Sequence, residues 1–360
     1  MNSNLNETYT SIIMIFCMIT IASCSKNDNE PKPQTYKTDI YTAGYELNTA
    51  GKTVAMVWKN SEVLHQLTDG SNDAEIKSVA VSGNDVYAAG YEINISGKKV
   101  AKVWKNNAAV NLSIGITHAE ASSVFVSGND VFIAGYISNS GNKGIATIWK
   151  NNTVLYSLTN GVNSGYAASI FVSNGDVFVA GVEANSAGVP VAKIWKNGTL
   201  LHLLSNGSEN NYSTSIFVSG SDVYTTGYEY NPSVSIAKMW KNNTVTALTT
   251  PSYGSFVYDV FVANGDVYVA GREGVNTSGL TIPKIWKNNE VLYQLSNGVK
   301  SGSATALQVI DNVVYSVGYE YNAVGKVVNK VWKNRDLLYQ LTDGSNHAYA
   351  SSVFVVQTPE

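Results

Sequence analysis

From residue 36 onward the chain alternates apolar and polar residues over short stretches, and each stretch ends in Gly, Asn, Asp or Ser. Period-two alternation of β-branched and aromatic residues between such punctuation predicts short, half-buried strands. No helix-period pattern interrupts it. Residues 122–161 show one unit in full. Residues 123–127 read as a first strand, Gly128-Asn129-Asp130 as a hairpin turn, and residues 131–136 as a second strand. A polar loop of Asn, Ser and Gly follows. Residues 144–149 then read as a third strand, Lys150-Asn151-Asn152 as a turn, and residues 154–158 as a fourth.

The unit recurs. All seven tryptophans stand in the motif Trp-Lys-Asn, at Trp58, Trp104, Trp149, Trp195, Trp240, Trp286 and Trp332, with spacings of 46, 45, 46, 45, 46 and 46. A glycine keeps nearly the same register at Gly44, Gly90, Gly135, Gly181, Gly227, Gly271 and Gly318. Four antiparallel strands per repeat of this length make the blade of a propeller. The first copy begins at Tyr36 with a second strand, residues 38–45, and the last copy is a lone first strand, residues 350–356. Joined, those halves complete one blade and leave no free edge in the ring. The expected fold is therefore all-β: a seven-bladed β-propeller over residues 36–360, four antiparallel strands per blade, closed by the C-terminal strand pairing with the N-terminal blade.

The repeated residues read first as structure. A tryptophan at one register in every blade fits packing between blades, and Asn in the following turn tolerates the left-handed conformation. Two residues after the shared glycine, Glu46, Glu92, Glu183, Glu229, Glu273 and Glu320 could form a ring of carboxylates. Across the loop, however, stand Lys102, Lys193, Lys238, Lys284 and Lys330, where a cross-strand partner belongs. Paired charges are expected. Blade 3, with Ile137 and Thr147, lacks both partners, and blade 1 sets Glu46 against Met56.

Composition narrows the function. The chain has 360 residues, 44% hydrophobic and 14% charged, with a formal net charge of −3 and no Lys/Arg cluster, so it lacks the electrostatic footprint of a nucleic-acid binder. Residues 11–23 form a nearly unbroken apolar run, too short for a bilayer core that takes about 20 residues. Ile21-Ala22-Ser23-Cys24 resembles the lipobox of bacterial lipoproteins. That resemblance implies a signal peptide over residues 1–23, acylation of Cys24 and attachment to a membrane, although Met1 to Thr10 carries Glu7 and no Lys or Arg. Cys17 lies inside the apolar run, so the expected mature body has no thiol. Residues 24–35 read as a polar, Pro-containing tether, similar to the short acidic segment of Bacteroidetes surface lipoproteins. The expected location is the outer membrane, facing the periplasm or the cell surface. The text from Ala121 to Gly135, Ala-Ser-Ser-Val-Phe-Val-Ser-Gly-Asn-Asp-Val-Phe-Ile-Ala-Gly, resembles the seven-bladed β-propeller repeats of secreted bacterial proteins. The resemblance covers residues 36–360 and implies a fold, not an activity.

Catalytic signatures are poor. The four histidines, His65, His118, His202 and His347, are scattered and form no zinc motif; no Gly-x-Ser-x-Gly elbow or phosphate loop occurs. Asp69-Gly70-Ser71-Asn72-Asp73 reads as an Asx turn. No catalytic residue, metal or cofactor is assigned, and the chain is expected to act as a monomer. Propeller geometry puts a site on the face where the loops before the first strands meet those after the second. There the candidates are Glu75, His118, Glu120, Tyr166, Tyr212, Tyr253, His347 and Tyr349. Tyrosine and histidine around a concave mouth suit a glycan or a protein ligand. Three functions stay open: a binding or scaffold propeller, a polysaccharide hydrolase or lyase with carboxylates in the channel, and a structural envelope protein without a small ligand.

Overall fold

A computed structural model describes residues 34–230, 233–250 and 253–360. The expected signal segment, Cys24 and all but the last two residues of the tether lie outside the described residues.

Each repeat folds as a four-stranded antiparallel sheet, and seven such sheets close into a ring. Their first strands line the axis: Ala74–Ser82, Ala119–Ser127, Gly165–Ser173, Asn210–Ser219, Ser255–Ala263 and Gly302–Ile310 in blades 2 to 7, and Ala348–Pro359 in blade 1. The seam is the expected one. Ala348–Pro359 pairs antiparallel with Tyr36–Leu47, from Tyr36 opposite Pro359 to Glu46 opposite Ala348. These two strands run 12 residues each where most inner strands run nine, so the closure carries extra ladder.

The inner strands begin earlier than their alternation predicts. Ala119–Ser127 starts four residues before the expected Ser123, because the register shifts between Ala121 and Ser123 and leaves Ser122 opposite no partner. Such a bulge interrupts the inside-outside alternation while the ladder continues. It recurs in every blade and frees Lys77, Ser122, Ala168, Thr214, Tyr258, Thr305 and Ser351 from pairing.

The bulge explains the repeated glycine. A Cβ on Gly135 would lie 2.0 Å from the carbonyl oxygen of Glu120, and one on Gly90 2.0 Å from that of Glu75. The inner strand pushes its backbone against the second strand at this point in all seven blades, and only a residue without a side chain admits it.

Between blades the tryptophans pack as expected. Trp104 of blade 2 sits among Ala43, Val57 and Leu67 of blade 1, and Trp58 of blade 1 reaches back to Val317, Val331 and Leu341 of blade 7. All seven are buried. The rest of Trp-Lys-Asn is a lock. In each blade the Asn adopts positive φ (Asn106, 55°) and its Oδ1 accepts a hydrogen bond from the backbone N–H near the start of the second strand, Val86 at 2.9 Å in blade 2. Its Nδ2 donates to Asp85 (3.1 Å), whose other oxygen pairs with Lys105 at 2.8 Å. The same Asp-Lys-Asn arrangement stands in blades 1 to 6. Blade 7 has Val313 in place of the aspartate.

A second set of bonds belts the channel. The N–H of Val124 donates to Ser78 Oγ of the preceding blade, Ile170 to Ser123, Ile216 to Ser169 and Val79 to Ser352. In blade 6 the serine is replaced by Asp259, which accepts from Ser215 Oγ (2.7 Å) on one side and from Leu307 N–H (2.9 Å) on the other. Below this belt Phe125, Phe171, Phe217 and Phe261 form an arc with centroids 4.6–4.9 Å apart.

Candidate functional site

The seven bulged residues, Lys77, Ser122, Ala168, Thr214, Tyr258, Thr305 and Ser351, form the floor of a cavity of about 720 Å³ at one mouth of the channel. Beneath it the same residues and the serine belt narrow the channel to a waist of about 110 Å³. The mouth lies within the 300–1,000 Å³ typical of ligand pockets. It is built where the inner strands start and the second strands end, on the face expected.

Four candidates meet there: Glu75, Glu120, Tyr166 and Tyr349 all line the mouth. The backbone carbonyl of each presses on the shared second-strand glycine, so the bulge that demands that glycine also aims these side chains. Tyr212 stands behind them, stacked on the lining residue Tyr228 with centroids 5.1 Å apart. His118, His347 and Tyr253 are placed elsewhere. The Nδ1 of His118 accepts from the Lys99 N–H of the preceding blade at 3.3 Å, and that of His347 accepts from Val327 at 3.2 Å. Asp73 Oδ1 and Ser301 Oγ make the same bond to Thr53 and Thr281. These residues clip neighbouring blades. Tyr253 is 38% exposed, and its carbonyl accepts from Ser255 Oγ.

Tyr45, Tyr136 and Tyr228, which also wall the mouth, were not anticipated. They follow the shared glycine directly, at a position that reads Tyr45, Tyr91, Tyr136, Val182, Tyr228, Arg272 and Tyr319 around the ring. The repeated Gly-Tyr dipeptide was the available signal. The glutamate one place further on is the more conspicuous residue, because its lysine partner repeats with it. Lys77 and Tyr258 had no signal, because a bulge breaks the period by which facing is read.

The tyrosines interlock. Tyr45 packs on Tyr349 (5.1 Å), Tyr349 on Tyr319 (5.2 Å), Tyr136 edge-on against Tyr166 (4.8 Å) and Tyr228 edge-on against Phe256 (4.9 Å). Burial pushes the Tyr349 and Tyr258 phenols up to about 12, and it raises Tyr45, Tyr136 and Tyr228 as well. All five keep their protons near neutral pH and can donate hydrogen bonds.

The charged residues that line the mouth, Glu75, Lys77 and Glu120, are all paired within the protein. Lys77 Nζ lies 2.6 Å from Glu75, and Lys99 Nζ lies 2.6 Å from Glu120 while standing 3.9 Å over the Tyr91 ring. Asp259 at the waist differs: desolvation raises its carboxyl to about 6 despite the hydrogen bonds it accepts from Leu307, Ser215 and Val260. The five expected pairs, Glu92–Lys102, Glu183–Lys193, Glu229–Lys238, Glu273–Lys284 and Glu320–Lys330, are all formed. Glu46 has no lysine; burial, then the nearby Asp343 charge, raises its carboxyl. Ser71 N–H bonds Asp69 Oδ1 at 2.9 Å, the expected Asx turn. Among the described residues no group of three or more His, Cys, Asp or Glu is placed to hold a metal ion.

No family model matches the chain, and no curated protein matches it in sequence. Solved structures do. A puromycin-hydrolysing peptidase of Mycobacterium tuberculosis superposes with a TM-score of 0.53 at 10% identity, over 86% of this chain and 51% of that one. The likeness is one of fold. The β-propeller domain of the Trilobed protease of Pyrococcus furiosus gives 0.50 at 13% identity, over 85% and 95% of the two chains. That domain is described as having an open velcro topology, whereas here Ala348–Pro359 closes the ring on Tyr36–Leu47. This chain spans about half the length of the mycobacterial peptidase.

Proposed function

We propose that the protein is a binding module that holds a saccharide in the channel mouth, on a chain anchored outside the cytoplasm through acylated Cys24. One observation carries the reading. The mouth offers tyrosine faces and phenol O–H donors, while both of its lining glutamates are bound to lysines. A flat sugar face stacks on such rings and its hydroxyls accept and donate hydrogen bonds. A glycosidase instead needs two free carboxyl groups flanking the scissile bond, one of them holding a proton.

The test is a glycan array probed with the purified full-length chain, beside Tyr136→Ala and Tyr166→Ala. Binding to a set of saccharides, weakened about tenfold or more in each variant (about 1.4 kcal/mol), is expected. Time-dependent cleavage of a bound saccharide would replace this reading with the hydrolase or lyase, and absence of any binding would leave the structural envelope protein. In detergent-phase partitioning the chain expressed in bacteria is expected in the detergent phase and Cys24→Ser in water; equal behaviour would remove the anchor.

A further inference from the structure

Around the mouth, the position after the shared glycine carries one charge. Arg272 of blade 6 stands beside the mouth lining, at the register where blades 1, 3 and 5 place the lining tyrosines Tyr45, Tyr136 and Tyr228. Its guanidinium carbon lies 4.8 Å from the Phe256 ring centroid, and Nη1 reaches only Tyr319 Oη, at 3.4 Å. The Nε is buried without a hydrogen-bond partner. Among the described residues no carboxylate pairs with this side chain, although Lys77, which lines the mouth, and Lys99 beside it each hold a glutamate. The residue beside it shows the contrast, since Glu273 is paired with Lys284. A half-buried guanidinium with one long hydrogen bond and no counter-charge is unfavourable by itself, and its planar edge matches a carboxylate or sulfate.

We propose that Arg272 anchors the acidic group of an anionic saccharide in the mouth, so that the ligand is a uronate-type or sulfated sugar rather than a neutral one. This rests on the saccharide reading above. The Glu75–Lys77 and Glu120–Lys99 pairs each cancel, so Arg272 is the charge beside the mouth that lacks an opposite partner. The Phe256 ring covers the guanidinium on one side, and the lower dielectric there strengthens an ion pair formed beside it.

Titration calorimetry of the full-length chain with three matched oligosaccharides, neutral, carboxylate-bearing and sulfate-bearing, and with an acidic peptide tests it. An acidic saccharide is expected to bind at least tenfold more tightly than the neutral one. Arg272→Gln is expected to erase that preference with unchanged thermal stability, Arg272→Lys to keep part of it, and Tyr166→Ala to weaken every saccharide alike. Which acidic sugar is preferred separates the carboxylate from the sulfate. Equal binding of neutral and acidic sugars, or indifference to Arg272→Gln, would overturn the anchor and leave the saccharide module standing. Arg272-dependent binding of the peptide alone would overturn the saccharide assignment, and no binding of any probe would overturn both.

Discussion

The two faces of the propeller obey different rules. On the face opposite the mouth, the Asp-Lys-Asn lock is the same in blades 1 to 6, down to the positive φ of the asparagine and the two oxygens of the aspartate. At the mouth, the residues at one register differ from blade to blade: Tyr349, Glu75, Glu120, Tyr166, Tyr212, Phe256 and Ser303. A lock acts within its own blade, so every blade has the same problem and the same solution. The mouth residues converge on one axis, where the proposed ligand would meet several of them at once and seven identical side chains would have no use. The most regular repetition in this chain therefore serves stability, and the departures at the mouth belong to the proposed site.

The comparison breaks most severely where the two sets of residues meet. Gly135→Ala would force a Cβ to 2.0 Å from the Glu120 carbonyl, and a loss on the order of 3 kcal/mol or more is expected in thermal unfolding, together with a displaced Glu120. A Gly135→Ala protein as stable as the parent would show that the bulge does not require the glycine.

Asp259 sharpens the comparison next, because it is a departure from repetition inside a structural belt. Its folded-state value of about 6 lies above the ordinary 3.8, so the fold favours the neutral acid. The stability contributed by this group is fully present below about pH 4 and is lost as the pH rises through about 6. Asp259→Ser restores the serine that blades 1 to 5 carry at this position. The difference between variant and parent is expected to shift in favour of the variant by about 1–3 kcal/mol from pH 4 to pH 7, read by urea unfolding. A difference independent of pH would sink the assignment.

The smallest effect belongs to the lock. Asn106→Ala removes two hydrogen bonds and places Ala at positive φ, at about 1–2 kcal/mol, and Asn288→Ala is expected to cost the same in blade 6. Unequal losses in the two blades would deny that the lock acts locally. Neither variant is expected to alter saccharide binding.

How much was legible follows the same division. The tryptophan spacing announced the number of blades, the half-blades at the two ends announced the closure, and the Glu and Lys registers announced the ion pairs, because these depend on local periodicity and on contacts copied in every repeat. Glu75, Glu120, Tyr166 and Tyr349 were placed at the mouth by topology, but His118 and His347, which look the same in sequence, are engaged by backbone amides of the preceding blade. Lys77 and Tyr258 were invisible because a bulge reverses facing without changing residue type. By itself the sequence determined the repeat, the strands and the ring, since alternation and turn chemistry act over a few residues. Only the tertiary structure decided which side chains share the mouth and that Arg272 stands beside it without a counter-charge, because those relations join residues from blades far apart in the chain.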